Sequence, residues 1–331
     1  MAILNLLELQ PTTISRDLSN KYLLLYGRPK CGKTSFAAQC PDNLILCFEK
    51  GVNFLPGIYA SDMEKWSDFK ALLRQLSKAE VKEKFKTVTI DTVSLAWSLC
   101  ERYICDNNGV NAISDIPWGK GYALLKDEFS SALRKISMMG YGIILITHAK
   151  IRLEKIDDGH SVEVVSPNIP ERAQDIINAL VDIIGYIDYK PEEGGTAKRD
   201  LITRETPTIV AGSRLKYLPP RIPFGYHELV NAIGEAIEKQ GEVDGAKITD
   251  EIITQKVIKE RPYSEAIAEA RELWFKLVGN GDSEPSEQNM RNREEIAEKI
   301  VEIFGQPMKL SEVPESALPS LEILIEEMRN M

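Results

Sequence analysis

Residues 22–36, YLLLYGRPKCGKTSF, decide the fold of this chain. The apolar run at 22–26 has the length of a buried strand and stops at Gly27, and the segment after the loop predicts a helix that ends before Pro41. From Gly27 to Thr34 the sequence fits G-x-x-x-x-G-K-[ST], a pattern that needs this strand before it and this helix after it. Its glycines let the backbone curl around a phosphate, with amide groups turned toward the anion. The stretch therefore predicts a phosphate loop that binds a nucleoside triphosphate.

Every residue of this loop is a candidate for contact with the nucleotide. Lys33 would reach the β- and γ-phosphates, and the Thr34 hydroxyl would be a ligand of Mg²⁺. The alternative is a glycine-rich turn with a solvent-facing lysine, and the flanking strand and helix argue against it. The predicted nucleotide-binding residues are Gly27, Arg28, Pro29, Lys30, Cys31, Gly32, Lys33, Thr34 and Ser35.

The bulk composition is that of an ordinary globular protein. A chain of 331 residues can form one large core or two domains, and its 43% hydrophobic and 27% charged residues are typical values. No apolar stretch is long enough to span a bilayer, and the N-terminus lacks the basic start and cleavage site of a signal peptide. The five cysteines form no C-x-x-C pair, which argues against a zinc site. We therefore expect a cytoplasmic protein with no membrane partner.

The net charge of −9 is unevenly distributed along the chain. Residues 241–331 hold 20 acidic and 11 basic side chains, so this segment carries the whole imbalance and residues 1–240 are neutral overall. A neutral core can present a local basic groove, so nucleic acid is not excluded as a partner. The polar, glycine-bearing segment 241–245 predicts a domain boundary. We expect an N-terminal arm at 1–20, a core at 21–240 and an acidic helical region at 241–331.

Three later strand-like runs, two apolar and one β-branched, lead into polar residues that could serve a nucleotide. These residues are Glu49, Asp91 and His148, and helices are predicted between the runs. Strands that alternate with helices form a parallel sheet, and such sheets bind ligands at the carboxyl ends of their strands. Each residue also has a plainer explanation, because Glu49 and His148 could simply end their strands and Asp91 could cap the next helix.

The rest of the chain predicts more strands and then only helices. Residues 149–172 are polar and predict a long structureless loop. Residues 200–205 and 208–216 predict antiparallel strands that extend the sheet. Helices are predicted at about 249–260, 264–279, 288–304 and 319–330, with a linker at 279–283.

With the phosphate loop, Glu49, Asp91 and His148 identified, residues 20–240 resemble the RecA-like P-loop ATPases. The sequence looks most like phage-encoded, core-only relatives of RecA and RadA, the AAA-type ATP-binding proteins of the Sak-type single-strand-annealing group. The resemblance implies an α/β fold with a mainly parallel sheet extended by antiparallel strands, followed here by an α-helical C-terminal extension. It also implies that the protein uses ATP with Mg²⁺.

The resemblance implies a catalytic role for each polar residue at a strand end. Glu49 would polarise the attacking water, while Asp91 and Thr34 would hold Mg²⁺. His148 would sense the γ-phosphate, at a place where RecA itself carries glutamine. Lys33 completes this set as the cation of the phosphate loop.

Arg214 and Lys216 resemble the paired cations that RecA relatives extend across a subunit interface to the γ-phosphate of a neighbour. Such a cation stabilises the charge of the transition state and makes hydrolysis depend on assembly. The two residues are two apart, so on a strand they would point to the same side. They could instead be the solvated charges of an edge strand.

RecA relatives bind DNA through two loops, whose counterparts here are about 107–121 and 149–170. Basic side chains interleaved with aromatic ones suit single strands, since the cation meets phosphate and the ring stacks on a base. The alternative for Trp118 is a place in the core. The candidate DNA-binding residues are Trp118, Lys120, Lys150, Arg152 and Lys155.

The sequence thus predicts a slow, DNA-stimulated ATPase that binds single-stranded DNA in phage recombination or replication. It would act as a homo-oligomer, a ring or a filament, in the cytoplasm of a bacterium that is phage-infected or carries a prophage. The helical tail could recruit a single-strand-binding or replication protein. A hexameric replicative helicase, a helicase loader and a nucleotide-gated interaction protein remain open as alternatives, because they share the core.

Overall fold

The computed structural model describes residues 21–157, 160–190, 197–245, 248, 262–279, 286–329 and 331. The predicted N-terminal arm at 1–20, the predicted helix at 249–260 and most of the predicted linker at 279–283 lie outside the described residues. The chain divides into two compact units, one spanning Thr12–Ile252 and the other containing Ile253–Met331.

Ten strands and ten α-helices make up the described part of the chain, joined by short 3₁₀ turns. The strands are β1 (Tyr22–Gly27), β2 (Asn43–Cys47), β3 (Tyr59–Asp62), β4 (Thr87–Asp91), β5 (Gly142–Asp157), β6 (His160–Pro167), β7 (Ile183–Lys190), β8 (Lys198–Ile202), β9 (Gly212–Ser213) and β10 (Arg221–Pro223). The helices are α1 (Lys33–Gln39), α2 (Trp66–Leu76), α3 (Ala79–Lys84), α4 (Val93–Asn107), α5 (Lys120–Met138), α6 (Glu171–Leu180), α7 (Tyr226–Asp244), α8 (Tyr263–Val278), α9 (Glu287–Phe304) and α10 (Leu318–Arg329).

The strands form a mixed sheet with the order β10-β8-β7-β1-β5-β4-β2-β3. From β7 to β3 neighbouring strands are parallel, and β1 lies between β5 and β7. At the other edge β8 and β10 run antiparallel, as does β9 against the start of β7. The predicted α/β fold, a mainly parallel sheet extended by antiparallel strands and followed by C-terminal helices, is confirmed.

The central strand β1 is apolar because both faces of the sheet are covered. Leu24 packs with residues of α2, α4 and α5 on one face, while Leu23 and Leu25 pack with α1 and α7 on the other. Each fully buried leucine contributes about 1.5–3 kcal/mol to folding through the hydrophobic effect. An uninterrupted apolar run is what a parallel strand covered on both faces requires.

The predicted structureless loop at 149–172 is wrong. After its last pairing with β1 at His148, strand β5 continues to Asp157 and forms a two-stranded antiparallel ladder with β6. The ladder satisfies the backbone groups of these residues, and its strands carry a short apolar alternation, Ile151 with Leu153 and Val162 with Val164. Charged residues between these apolar positions make the whole segment read as polar, and the register of the two strands is set only by contacts across the hairpin.

The predicted strand at 208–216 is also wrong over most of its length. Only Gly212 and Ser213 pair as a strand, and the chain bends and turns from Arg214 onward. The Arg214 side chain donates hydrogen bonds to the carbonyl oxygens of Ala179 and Leu180 at the end of α6, so it follows the helix rather than a strand partner. The same-side geometry predicted for Arg214 and Lys216 therefore does not hold.

The described part of the C-terminal unit consists of α8, α9 and α10. Ala266, Ala270 and Leu321 form one buried cluster between α8 and α10, and Ile296 and Ile300 of α9 pack against α10 in a second. The bounds of the three helices agree with the predicted ones within a few residues. None of the helices in the described ranges combines the length and apolarity that crossing a bilayer would need.

Candidate nucleotide-binding site

The phosphate loop connects the end of β1 to the start of α1. Its glycines, Gly27 and Gly32, occupy positions where a larger residue would not fit. A Cβ on Gly27 would lie 2.9 Å from the Cys31 sulfur and 3.1 Å from Ile187. Gly32 has a φ of 96°, in the left-handed region that favours glycine. The tight turn of the loop therefore depends on glycine at both positions.

Lys33 lies under this turn with its side chain buried. Its Nζ donates hydrogen bonds to the carbonyl oxygens of Gly27 at 3.1 Å and Arg28 at 2.9 Å. A buried ammonium needs such partners, because desolvation without them is costly. The loop therefore holds a positive charge close to its own backbone. This charge would neutralise the oxygens of a bound phosphate.

Thr34 and Asp91 bring two oxygen ligands together. The Thr34 hydroxyl donates a 2.7 Å hydrogen bond to Asp91 Oδ2 across the α1–β4 interface. Burial raises the pKa of Asp91, and the nearby Glu49 raises it further, while the Thr34 hydrogen bond and Lys33 lower it. A hydroxyl beside a carboxylate fits Mg²⁺, which prefers hard oxygen ligands and is often held with substrate phosphates. Thr34 and Asp91 would hold the Mg²⁺ ion, which would neutralise negative charge on the phosphates of the nucleotide.

Glu49 and His148 form a second polar pair next to Asp91. The backbone N–H of Glu49 donates to the Asp91 carbonyl at 3.0 Å, which fixes Glu49 beyond the end of β2. Its Oε2 lies 3.2 Å from His148 Nε2, and its side chain is 45% exposed. Nδ1 of His148 is buried and finds no hydrogen-bond partner among the described residues. A partly solvated carboxylate held in this way can accept a proton from water.

A cleft of about 520 Å³ joins these groups at the carboxyl edge of the sheet. Lys33, Thr34, Glu49, Asp91 and His148 all line it, and so the residues predicted from four separate segments meet in one place. Of the other predicted nucleotide-binding residues, Pro29, Lys30, Gly32 and Ser35 also line the cleft. Cys31 is fully buried beneath the loop, so its thiol is not available to a ligand.

Arg199 of β8 belongs to this region and escaped the sequence analysis. Its guanidinium Nη1 donates a 2.8 Å hydrogen bond to the carbonyl of Cys31, and the group lies 5.5 Å from the centre of the Phe224 ring. The Gly32 position faces the same guanidinium, so a side chain there would collide with it. Only the antiparallel pairing of β8 with β7 brings Arg199 to the loop, and no local motif marks it.

We expect Arg199→Ala to weaken ATP binding roughly tenfold, because a charge-assisted hydrogen bond to the loop and a nearby cation are both lost. Isothermal titration with a non-hydrolysable ATP analogue measures the effect. Arg204→Ala is the matched control, since Arg204 lies just beyond the same strand and, among the described residues, donates hydrogen bonds to the carbonyls of Lys216 and Leu218 and not to the loop. Equal affinity in the two variants would remove Arg199 from the site.

Trp118 lies just before α5 and Lys120 is the first residue of that helix, both on the surface of the core. Trp118 is fully exposed, with a φ of 61° in the 3₁₀ turn at Pro117–Gly119, so the alternative of a core tryptophan is excluded. Behind them Tyr122 stacks under the guanidinium of Arg172 at 4.0 Å. This contact joins the start of α5 to the start of α6, which follows the β5–β6 hairpin.

The predicted basic residues of the hairpin are only partly available. Lys150 donates a 3.0 Å hydrogen bond to the Ile169 carbonyl, and Arg152 forms an ion pair of 2.5 Å with Glu154. Lys155 is exposed. It lies three residues after Arg152 along the strand, and its side chain is therefore on the other face of the ladder. The same β5 segment exposes two apolar side chains, Ile151 and Leu153.

Arg214 and Lys216 lie away from their own phosphate loop. The backbone N–H of Arg214 bonds to Asp182, at the end of the sheet opposite to Gly27. Its side chain pairs with Asp182 at 3.0 Å, whereas Lys216 pairs with Asp244 at 2.9 Å. Neither cation lines the nucleotide cleft.

Comparison with known proteins agrees with this site. A family model described as an AAA domain matches residues 19–215. The chain is also 25% identical over 333 residues, covering 97% of both sequences, to the SPbeta prophage-derived uncharacterized protein YorG of Bacillus subtilis strain 168. The family match spans more than half of the chain and contains the phosphate loop, Glu49, Asp91 and His148, and the protein therefore belongs to the AAA domain family of P-loop ATPases.

Proposed function

We propose that this P-loop ATPase is a phage-type protein that binds single-stranded DNA in recombination or replication and hydrolyses ATP slowly. The prophage origin of the similar protein YorG supports the phage setting, within the cytoplasm of a bacterial host. We also propose that the protein belongs to the Sak-type single-strand-annealing group, which its sequence resembles. The observation that carries it is the fully exposed Trp118 beside Lys120 at the edge of the sheet that holds the ATP site.

The surface around Trp118 has the parts that single-stranded DNA needs. An exposed ring can stack on a base of any sequence, and nearby cations can meet the phosphates. Helix α5 starts there and runs back toward the start of β5, so Trp118 belongs to the same edge as the carboxyl ends of the strands. The contact between Tyr122 and Arg172 extends this surface toward the hairpin.

The hairpin links this surface to the catalytic carboxylate. Strand β5 runs without a break through His148 into the hairpin, and Asn168 N–H, just after β6, donates a 2.7 Å hydrogen bond to the His148 carbonyl. Both ends of the hairpin thus converge on the residue that contacts Glu49. A strand of DNA bound along the hairpin would shift His148 and change the position of Glu49. This coupling is how we expect DNA to stimulate hydrolysis.

The proposal includes a homo-oligomer, ring or filament, in which Arg214 and Lys216 act on a neighbour's ATP. Both side chains are more than half exposed, and each has a single ion-pair partner among the described residues. Exposed ion pairs contribute only about 0–1 kcal/mol, so Lys216 can leave Asp244 for a phosphate at little cost. Arg214 would also give up its hydrogen bonds to the carbonyl oxygens of Ala179 and Leu180.

Trp118→Ala is expected to weaken single-stranded DNA binding by about 1–3 kcal/mol, the usual cost of losing one stacked base. The measurement is the fluorescence anisotropy of a labelled oligothymidine at fixed salt concentration. Met138→Ala is the matched control, because Met138 is also exposed but lies at the other end of α5. The DNA surface is misassigned if the two variants bind the oligonucleotide as tightly as the parent protein.

A further inference from the structure

The C-terminal unit contains an apolar groove that the ATPase core does not explain. The groove has a volume of about 750 Å³ and runs between α8, α9 and the segment that follows α9. Trp274, Ile300, Met308 and Leu310 supply its apolar surface, and Phe275, which is 53% exposed, stands at its side. Its size falls in the range of sites that enclose a ligand of several hundred daltons.

Three cations line this apolar groove. They are Arg271 of α8, Arg293 of α9 and Lys309 of the following segment. No carboxylate lines the groove within the described part of the unit, and none of the three cations forms an ion pair with another described residue. Residues 241–331 nevertheless contain almost twice as many acidic as basic side chains, 20 against 11. The groove is thus a positively charged apolar site in an otherwise acidic region.

We propose that the groove binds a short acidic segment of a partner protein, with a large apolar side chain of that segment inserted between Trp274 and Leu310. Unpaired cations around an apolar surface complement carboxylates that flank an apolar residue. Burial of the apolar side chain supplies affinity, and the three cations select acidic over basic segments.

Single-stranded DNA, which also suits cations and aromatic rings, fits this groove less well. A long polyanion would face the net charge of −9 on residues 241–331, whereas a peptide with a few carboxylates meets only the local cations. The groove is lined by more aliphatic than aromatic side chains, whereas bases stack best on exposed flat rings.

The test uses the full-length protein and a short fluorescein-labelled peptide in which aspartates alternate with leucines. We expect fluorescence anisotropy to report salt-sensitive binding, and Arg271→Glu combined with Arg293→Glu to weaken it roughly tenfold or more. Lys276→Glu combined with Arg291→Glu is the matched control: it makes the same two charge reversals on the same two helices, outside the groove, and should leave the affinity unchanged. Equal weakening in the two charge-reversal proteins, or none in either, would overturn the proposal.

Two further peptides separate the components of recognition. A peptide with serines in place of the leucines should bind at least tenfold more weakly, because nothing then fills the apolar groove. A peptide with lysines in place of the aspartates should not bind. Equal binding of all three peptides, or an oligothymidine that binds the groove in their place, would contradict an acidic-peptide site.

Phe275→Ser tests the groove in a second way, in case the charge-reversal protein fails to fold. It removes an exposed apolar contact without changing any charge, and we expect weaker binding of the aspartate–leucine peptide with an unchanged thermal unfolding curve. ATP turnover should stay at the parental rate in every one of these proteins, so the outcome is independent of the function proposed for the core. Parental peptide affinity in a folded Phe275→Ser protein would argue against the groove.

Discussion

Lys33→Ala is expected to reduce ATP hydrolysis by roughly 10²-fold or more, since one cation aimed at charge that develops in the transition state contributes about that much. Lys33 is buried and bonded to the carbonyl oxygens of Gly27 and Arg28, so no other described lysine shares its position. Steady-state phosphate release measures the turnover. Binding of an ATP analogue should weaken as well, because the ammonium acts on the ground-state phosphates too.

The control for this variant is Lys126→Ala, which removes an exposed lysine from the middle of α5. Its turnover should match that of the parent protein. Circular dichroism should show that Lys33→Ala keeps the α/β fold. A folded Lys33→Ala protein with parental turnover would refute the assignment of the phosphate loop.

Glu49→Gln should leave ATP binding intact and lower turnover by roughly 10²-fold or more, the usual contribution of a general base. Glutamine has the size of glutamate and can still bond to His148, but it cannot accept the proton of the attacking water. The backbone bond from Glu49 to Asp91 does not depend on the side chain, so the loop should keep its position. Single-turnover hydrolysis together with analogue binding separates the two effects.

Glu64→Gln serves as the matched control, because Glu64 is an exposed carboxylate just after β3, outside the nucleotide cleft. We expect it to hydrolyse ATP normally. If Glu49→Gln does so too, the base is another group, and the role that the RecA-like resemblance gave to Glu49 is lost.

The nucleotide site could be predicted well from the sequence because its parts are local. A short apolar strand, two glycines and a lysine define the phosphate loop within a few residues. Glu49 and His148 end apolar runs and Asp91 ends the β-branched run at 87–90, and parallel strands bring their carboxyl ends to one edge. The alternation of strands and helices, together with the RecA-like resemblance, therefore indicated which polar residues would meet in the cleft.

Features made by long-range pairing could not be predicted in this way. The β5–β6 hairpin and the position of Arg199 depend on antiparallel register, which local composition does not encode. Strand β3 lies at the sheet edge and is largely exposed, so it has no apolar run to mark it. The groove of the C-terminal unit combines residues from two helices and a loop, and helical periodicity indicates only which faces are apolar.

The rate of ATP hydrolysis with and without single-stranded DNA tests the central claim most directly. Purified protein is mixed with ATP and Mg²⁺, and phosphate release is followed as oligothymidine is added. Our account predicts slow hydrolysis that accelerates and saturates as the oligonucleotide binds, with much weaker acceleration in Trp118→Ala. A rate that stays constant while the same sample binds the DNA would contradict it.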